Sequence, residues 1–76
     1  MSLTREELIQ YYTRFATETI YLYNDEYECY IKSVPGVGWF VKFPGQEEGR
    51  ISASSKNAVY ARDARNEVSK SEYENC

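Results

Sequence analysis

Near its start the chain repeats apolar residues at helical spacing. Leu8, Ile9, Tyr12, Phe15 and Ala16 make one stripe, while Arg5, Gln10 and Arg14 fall on other faces. Ahead of the stripe, Thr4-Arg5-Glu6-Glu7 has the form of a capping box, in which the Thr4 hydroxyl and the Glu7 carboxylate each accept from the other's backbone amide. Leu3 and Leu8 supply the matching hydrophobic staple. The pattern predicts a helix from Arg5 to Ala16 or Thr17. Beyond it two readings stay open. Tyr12, Ala16, Ile20 and Tyr23 would extend the helical stripe, whereas β-branched and aromatic residues favour a strand. A strand over Thr19–Tyr23, turning at Asn24-Asp25, is preferred.

From Tyr27 the period becomes two. Tyr27, Cys29 and Ile31 face one way, and Glu28, Tyr30 and Lys32 the other. Pro35-Gly36-Val37-Gly38 suits a hairpin connection, since it lacks the strand-to-helix context and further glycines of a phosphate-binding loop. Trp39, Val41 and Phe43 then alternate with Phe40 and Lys42. After Pro44-Gly45 and a loop to Gly49, Arg50 to Ala53 reads as a short strand with Ile51 and Ala53 inward. Ser54 or Ser55 caps a second helix. Its inner stripe is Ala58, Ala61, Ala64 or Arg65, and Val68. Lys56, Tyr60, Asp63, Glu67, Lys70 and Glu74 form a solvated face of alternating sign.

The expected fold is α+β: a small antiparallel sheet of three or four strands in α-β-β-β-α order, with the N-terminal and C-terminal helices packed on one face. Trp39 is expected to be largely buried and to touch both helices. Residues 1–70 form a single domain, and the polar residues 71–76 are expected to fray. This order resembles that of the double-stranded-RNA-binding domain, which implies an RNA-binding last helix beginning with lysines that grip phosphates. Here the matching stretch, Ser55-Lys56-Asn57-Ala58-Val59-Tyr60, holds one lysine, so the likeness stops at topology. The stretch from Gly38 to Val68 also resembles small three-strand-plus-helix modules that bind DNA arms.

Composition changes this picture in one respect. Among the 76 residues, eight Tyr, three Phe and one Trp equal the Ile, Leu and Val residues together in number. A core this small cannot easily bury eight phenols, each of which needs a hydrogen-bond partner or water. Some rings must therefore lie at the surface, where tyrosine serves well as a contact residue. Tyr11, Tyr21, Tyr23, Tyr30 and Phe40 fall off the predicted core stripes and are the candidate partner-binding residues. Tyr30 and Phe40 share the outer face of neighbouring strands.

Charge and candidate chemistry narrow the function classes. The net charge of −3 argues against non-specific nucleic-acid binding. Locally, however, Lys42, Arg50, Lys56, Arg62 and Arg65 contrast with the acidic turn of Asp25, Glu26 and Glu28. There is no His, so the common base for a Ser or Cys nucleophile is missing, and no zinc site can be assembled from Cys29 and Cys76. Both cysteines are expected to be free thiols. The acidic pairs at turns read as solubilising, and Glu47-Glu48 has no calcium-loop spacing. No enzyme activity, metal or cofactor is expected. The charged stretch from Met1 to Leu8 is unlike a signal peptide, and no apolar run is long enough to span a bilayer, so a cytoplasmic protein is expected.

The sequence therefore points to a binding protein acting on an unknown protein partner or on itself as a homodimer. Its size suits an accessory or inhibitory protein of a phage or mobile element. The alternative is a nucleic-acid-binding module that uses Lys32, Lys42, Tyr30 and Phe40 on the outer sheet face.

Overall fold

The computed structural model describes residues 4–76. Its elements run α1 (Arg5–Thr17), β1 (Ile20–Asn24), β2 (Cys29–Val34), β3 (Gly38–Lys42), β4 (Gly49–Ile51), α2 (Lys56–Ala64), β5 (Glu67–Val68) and α3 (Lys70–Glu74). The protein is thus a small α+β domain, built on an antiparallel five-stranded sheet of order β4-β3-β2-β1-β5. The extra strand, β5, and the third helix separate this topology from a simple helix, three strands, helix order.

Local chemistry sets the element boundaries. The capping box at Thr4 forms as its residues require, with the Thr4 hydroxyl and Glu7 carboxylate each accepting a backbone amide at 3.2 Å. The staple expected at Leu3 lies outside the described residues. The stretch after α1 is a strand: Ile20, Leu22 and Asn24 point inward and are buried, while Tyr21 and Tyr23 point outward. Two Pro-Gly turns follow the strands. Val37 N–H donates to Val34 and Gln46 N–H to Phe43, and Gly36 and Gly45 take the positive φ that the third position of a type II turn demands. Ser55, rather than Ser54, caps α2 through the Ala58 amide.

Several residues depart from the expected pattern, each for a local reason. Tyr27 does not continue the inward row of β2, because Glu28 adopts a left-handed backbone (φ 51°) that breaks the alternation. Ala53 lies past the end of β4 and is exposed. Ala64 is exposed too, and α2 stops at Arg65, which takes a left-handed conformation. Val68 and Glu67 consequently belong to β5, not to a helix. Most of the segment expected to be a polar tail is helical: Ser69 caps α3, and Tyr73 is only 3% exposed.

The core lies on the inner face of the sheet. Ile20, Leu22, Cys29, Ile31 and Val41 pack with Ala61 of α2, and Phe15, Trp39, Phe43 and Ile51 close the margins. Small residues at Ala58 and Ala61 let α2 sit near the strands. Helix α1 is held more lightly, since none of its residues is buried. It docks through Phe15, whose ring stacks on Trp39 at 5.4 Å, and through Tyr11, which donates to the Arg62 carbonyl at 2.8 Å. Arg14 adds a bidentate pair with Glu67 at 2.7 and 2.9 Å. Trp39 is accordingly half-buried against α1, not deeply enclosed between two helices. Helices α1 and α2 share the inner side, as expected. Helix α3 does not; it crosses the outer face.

Candidate functional site

The outward residues of the strands form a lattice of rings and lysines. Strand register sets Tyr23 opposite Tyr30, Tyr30 opposite Lys42, Lys32 opposite Phe40, and Phe40 opposite Arg50. Of the residues singled out in the sequence, Tyr21, Tyr23, Tyr30, Phe40, Lys32 and Lys42 all come together here, and all are half-buried. The Tyr23 and Tyr30 rings meet at 5.0 Å. Lys32 lies 4.9 Å from the Phe40 ring centre. Tyr11 is elsewhere, wedged between α1 and α2, where burial pushes its phenol up to about 12.

The chain's own C-terminal helix occupies this outer face. The Tyr73 ring lies 5.2 Å from that of Tyr21 and beneath both lysines. Its hydroxyl donates to Glu48 at 2.5 Å, and Lys32 pairs with the same carboxylate at 2.6 Å. Lys42 donates to the Tyr73 and Glu74 carbonyls at 3.3 and 2.7 Å, which satisfies the exposed end of α3 with a cation. Burial, together with the bond to Glu48, pushes the Tyr73 phenol well up. Burial alone would raise the Glu48 carboxyl, but the hydrogen bonds from Lys32 and Tyr73 outweigh it and hold that group below its usual range. An open cleft of about 450 Å³ remains beside these residues, lined by Tyr21, Lys32, Lys42, Glu48 and Tyr73 among others.

A second concavity lies on the helix side. Tyr27, Lys56, Val59, Tyr60, Asp63 and Ala64 line an apolar groove of about 540 Å³ between the β1–β2 turn and the outer surface of α2. Asn24 builds it. This residue is fully buried, accepts the Glu26 and Tyr27 amides at 3.0 and 3.1 Å, and donates to the Asn57 carbonyl at 2.9 Å. The turn carrying Tyr27 is thereby fixed to the start of the helix carrying Tyr60. Both rings are open to solvent, at 43% and 40% exposed. The charge of Asp25 is the main influence on the Tyr60 phenol, which it pushes up with help from slight burial and Glu26.

Sequence reasoning missed Tyr73, Glu48, Tyr27 and Tyr60 as members of these two surfaces. One signal for α3 was present: Ser69-Lys70-Ser71-Glu72 has capping-box spacing, and Ser69 accepts the Glu72 amide at 3.1 Å. The Asn24 turn also carried a cue, since an Asn side chain that binds amides two and three residues on interrupts a strand.

Cys29 is buried, and burial raises its thiol; Cys76 is also unpaired. Among the described residues no cluster of three His, Cys, Asp or Glu side chains is assembled, and no helix is long and apolar enough to cross a membrane. No protein-family model matches the chain, and no curated protein or solved structure matches it either.

Proposed function

We propose that this is a non-catalytic protein-binding domain, suited to an accessory or inhibitory role, whose contact surface is its helix side. The observation that carries this reading is the groove in which Tyr27 and Tyr60 stand open to water while a buried Asn24 holds their backbones in place. Rigid tyrosines in a preformed concavity supply contact area with little ordering cost, the usual property of interface anchors. Ile9 and Tyr12 on α1 add a second exposed apolar strip on the helix side. The nucleic-acid alternative draws no support from the outer face. There Lys32 is paired with Glu48 and Lys42 with the end of α3, so neither lysine is free to hold phosphate.

The test combines sedimentation velocity over a concentration series with cross-linking in extract of the source cells. Wild type should either self-associate or retain a protein partner, and the double variant Tyr27→Ser/Tyr60→Ser should lose that association while keeping a wild-type circular dichroism spectrum. A wild type that stays monomeric and retains no protein refutes the reading. So does an association that survives the double variant.

A further inference from the structure

We infer that the Tyr27–Tyr60 groove receives an arginine or lysine side chain from a partner protein, with the aliphatic stem against Val59 and Ala64 and the cationic head at the rings and carboxylates. This inference rests on the protein-binding reading and adds the chemistry of the partner. Two open tyrosine rings can take either a nucleobase or a cation, because each ring face is a negative platform. The surrounding charge decides between them.

Asp63 lines the groove, and Asp25 and Glu26 belong to the turn that carries Tyr27 at its edge. All three are exposed. Against them stand Lys56 on the groove wall and Arg62, which already pairs with Asp63, so Asp25 and Glu26 carry the unshared charge. Lys56 and Asp63 lie on one face of α2 two turns apart, about 10 Å along the axis at the usual helical rise. The Tyr60–Asp63 end is therefore net acidic, which repels a phosphate backbone and attracts a cation. Asp63 already shows this preference within the chain, accepting the Arg62 guanidinium at 3.2 Å, while Arg62 itself lies over the Tyr12 ring. The same pairing of a ring with a carboxylate is offered to a partner at Tyr60.

Rigidity supports the assignment. Asn24 ties the Tyr27 backbone to the start of α2 from beneath, so the spacing of the two residues that carry the rings is set before a side chain arrives. A cation between rings and carboxylates gains both the quadrupole attraction and a charge-assisted hydrogen bond.

The probes are labelled short peptides of arginine and glycine, of lysine and glycine, and of glutamate and glycine, titrated into the intact protein by amide NMR. The arginine and lysine peptides should shift the resonances of Tyr27, Val59 and Tyr60. Tyr60→Ala should weaken them by about tenfold, and Asp63→Asn by a few-fold, with added salt acting in the same direction. Glutamate peptide should bind no more tightly than to Asp63→Asn. Binding of the glutamate peptide equal to that of the arginine peptide would overturn the inference, as would arginine binding indifferent to Tyr60→Ala. Should a cross-linked protein partner depend on Tyr27 and Tyr60 while neither cationic peptide binds, the cationic assignment fails and the protein-binding reading survives.

Discussion

Leu22 and Tyr21 are neighbours in β1 and meet opposite worlds. Leu22 is fully buried among Ile20, Cys29, Ile31, Val41 and Ala61, with no polar group to satisfy. Tyr21 turns to the other face, where it meets Tyr73, and where Lys32, Lys42 and Glu48 are bound to that same tyrosine or its helix. One face is closed by small and branched apolar residues under a nine-residue helix. The other is closed by one ring on a five-residue helix, with charges arranged around it. Apolar closure is additive and tolerant of geometry. Closure by a single tyrosine, two lysines and a carboxylate depends on every partner being present.

The largest expected contrast comes from truncating each face at its centre. Leu22→Ala should cost about 3–5 kcal/mol, because a cavity opens where five other side chains converge. That is a large share of the stability available to a domain this size, and urea denaturation should show a lowered midpoint with all probes moving together. Tyr73→Ala should cost less, about 2–3 kcal/mol, since the freed lysines and Glu48 return to water. Its distinguishing mark is local: amide exchange in α3 should rise to that of an unfolded segment while β1 and β2 stay protected. A simultaneous collapse of the sheet would show that the outer helix is integral to the core.

Next in size is the response to alkali. Tyr11 on the inner side and Tyr73 on the outer both have phenols raised above the ordinary 10.0, the first to about 12. In the unfolded chain these groups ionise near 10, whereas in the folded protein they resist. The stability they help maintain is complete below pH 10 and is lost as pH rises beyond it. Tyrosinate absorbance from Tyr11 and Tyr73 should therefore appear together with unfolding. Tyr73→Phe should move the unfolding step to higher pH, because the variant has no phenol under α3 to ionise. An unchanged step would mean that Tyr11 alone sets it.

The inner face was the legible one. The Thr4 cap and helical spacing predict α1, and the alternation of Trp39 and Val41 predicts β3. The expected stripe of α1 is only partly covered, however: Leu8 and Phe15 are half-buried together with Tyr11, while Ile9, Tyr12 and Ala16 are exposed. The outer face was legible only as a row. The sequence spacing places Tyr30, Lys32, Phe40 and Lys42 on one side of the sheet, yet says nothing of a cover contributed by Tyr73 from more than thirty residues away. A single aromatic in a polar stretch has no period to reveal which way it points. The helix-side groove escaped for a related reason: the left-handed Glu28 and the Asn24 turn remove Tyr27 from its apparent inward row.

The smallest effect tests the two carboxylates that tie helices to the two faces. Glu67, in β5, takes a bidentate bond from Arg14 of α1, and that bond holds its carboxyl below the usual range despite some burial. Glu48 does the corresponding work outside, for Lys32 and Tyr73. With folded values below those of the unfolded chain, both contribute stability above the ordinary carboxylate range, and that stability is lost as pH falls through their lowered values. Each carboxylate is partly exposed, so each contribution should be under about 1 kcal/mol. Glu67→Gln should flatten the acid limb of the stability profile slightly and leave α3 protected. Glu48→Gln should flatten it by a similar amount but also loosen α3, because the Tyr73 hydroxyl keeps only a neutral acceptor and Lys32 loses its counter-charge. Equal loosening of α3 in both variants would mean that the two faces are coupled through the sheet and do not close independently.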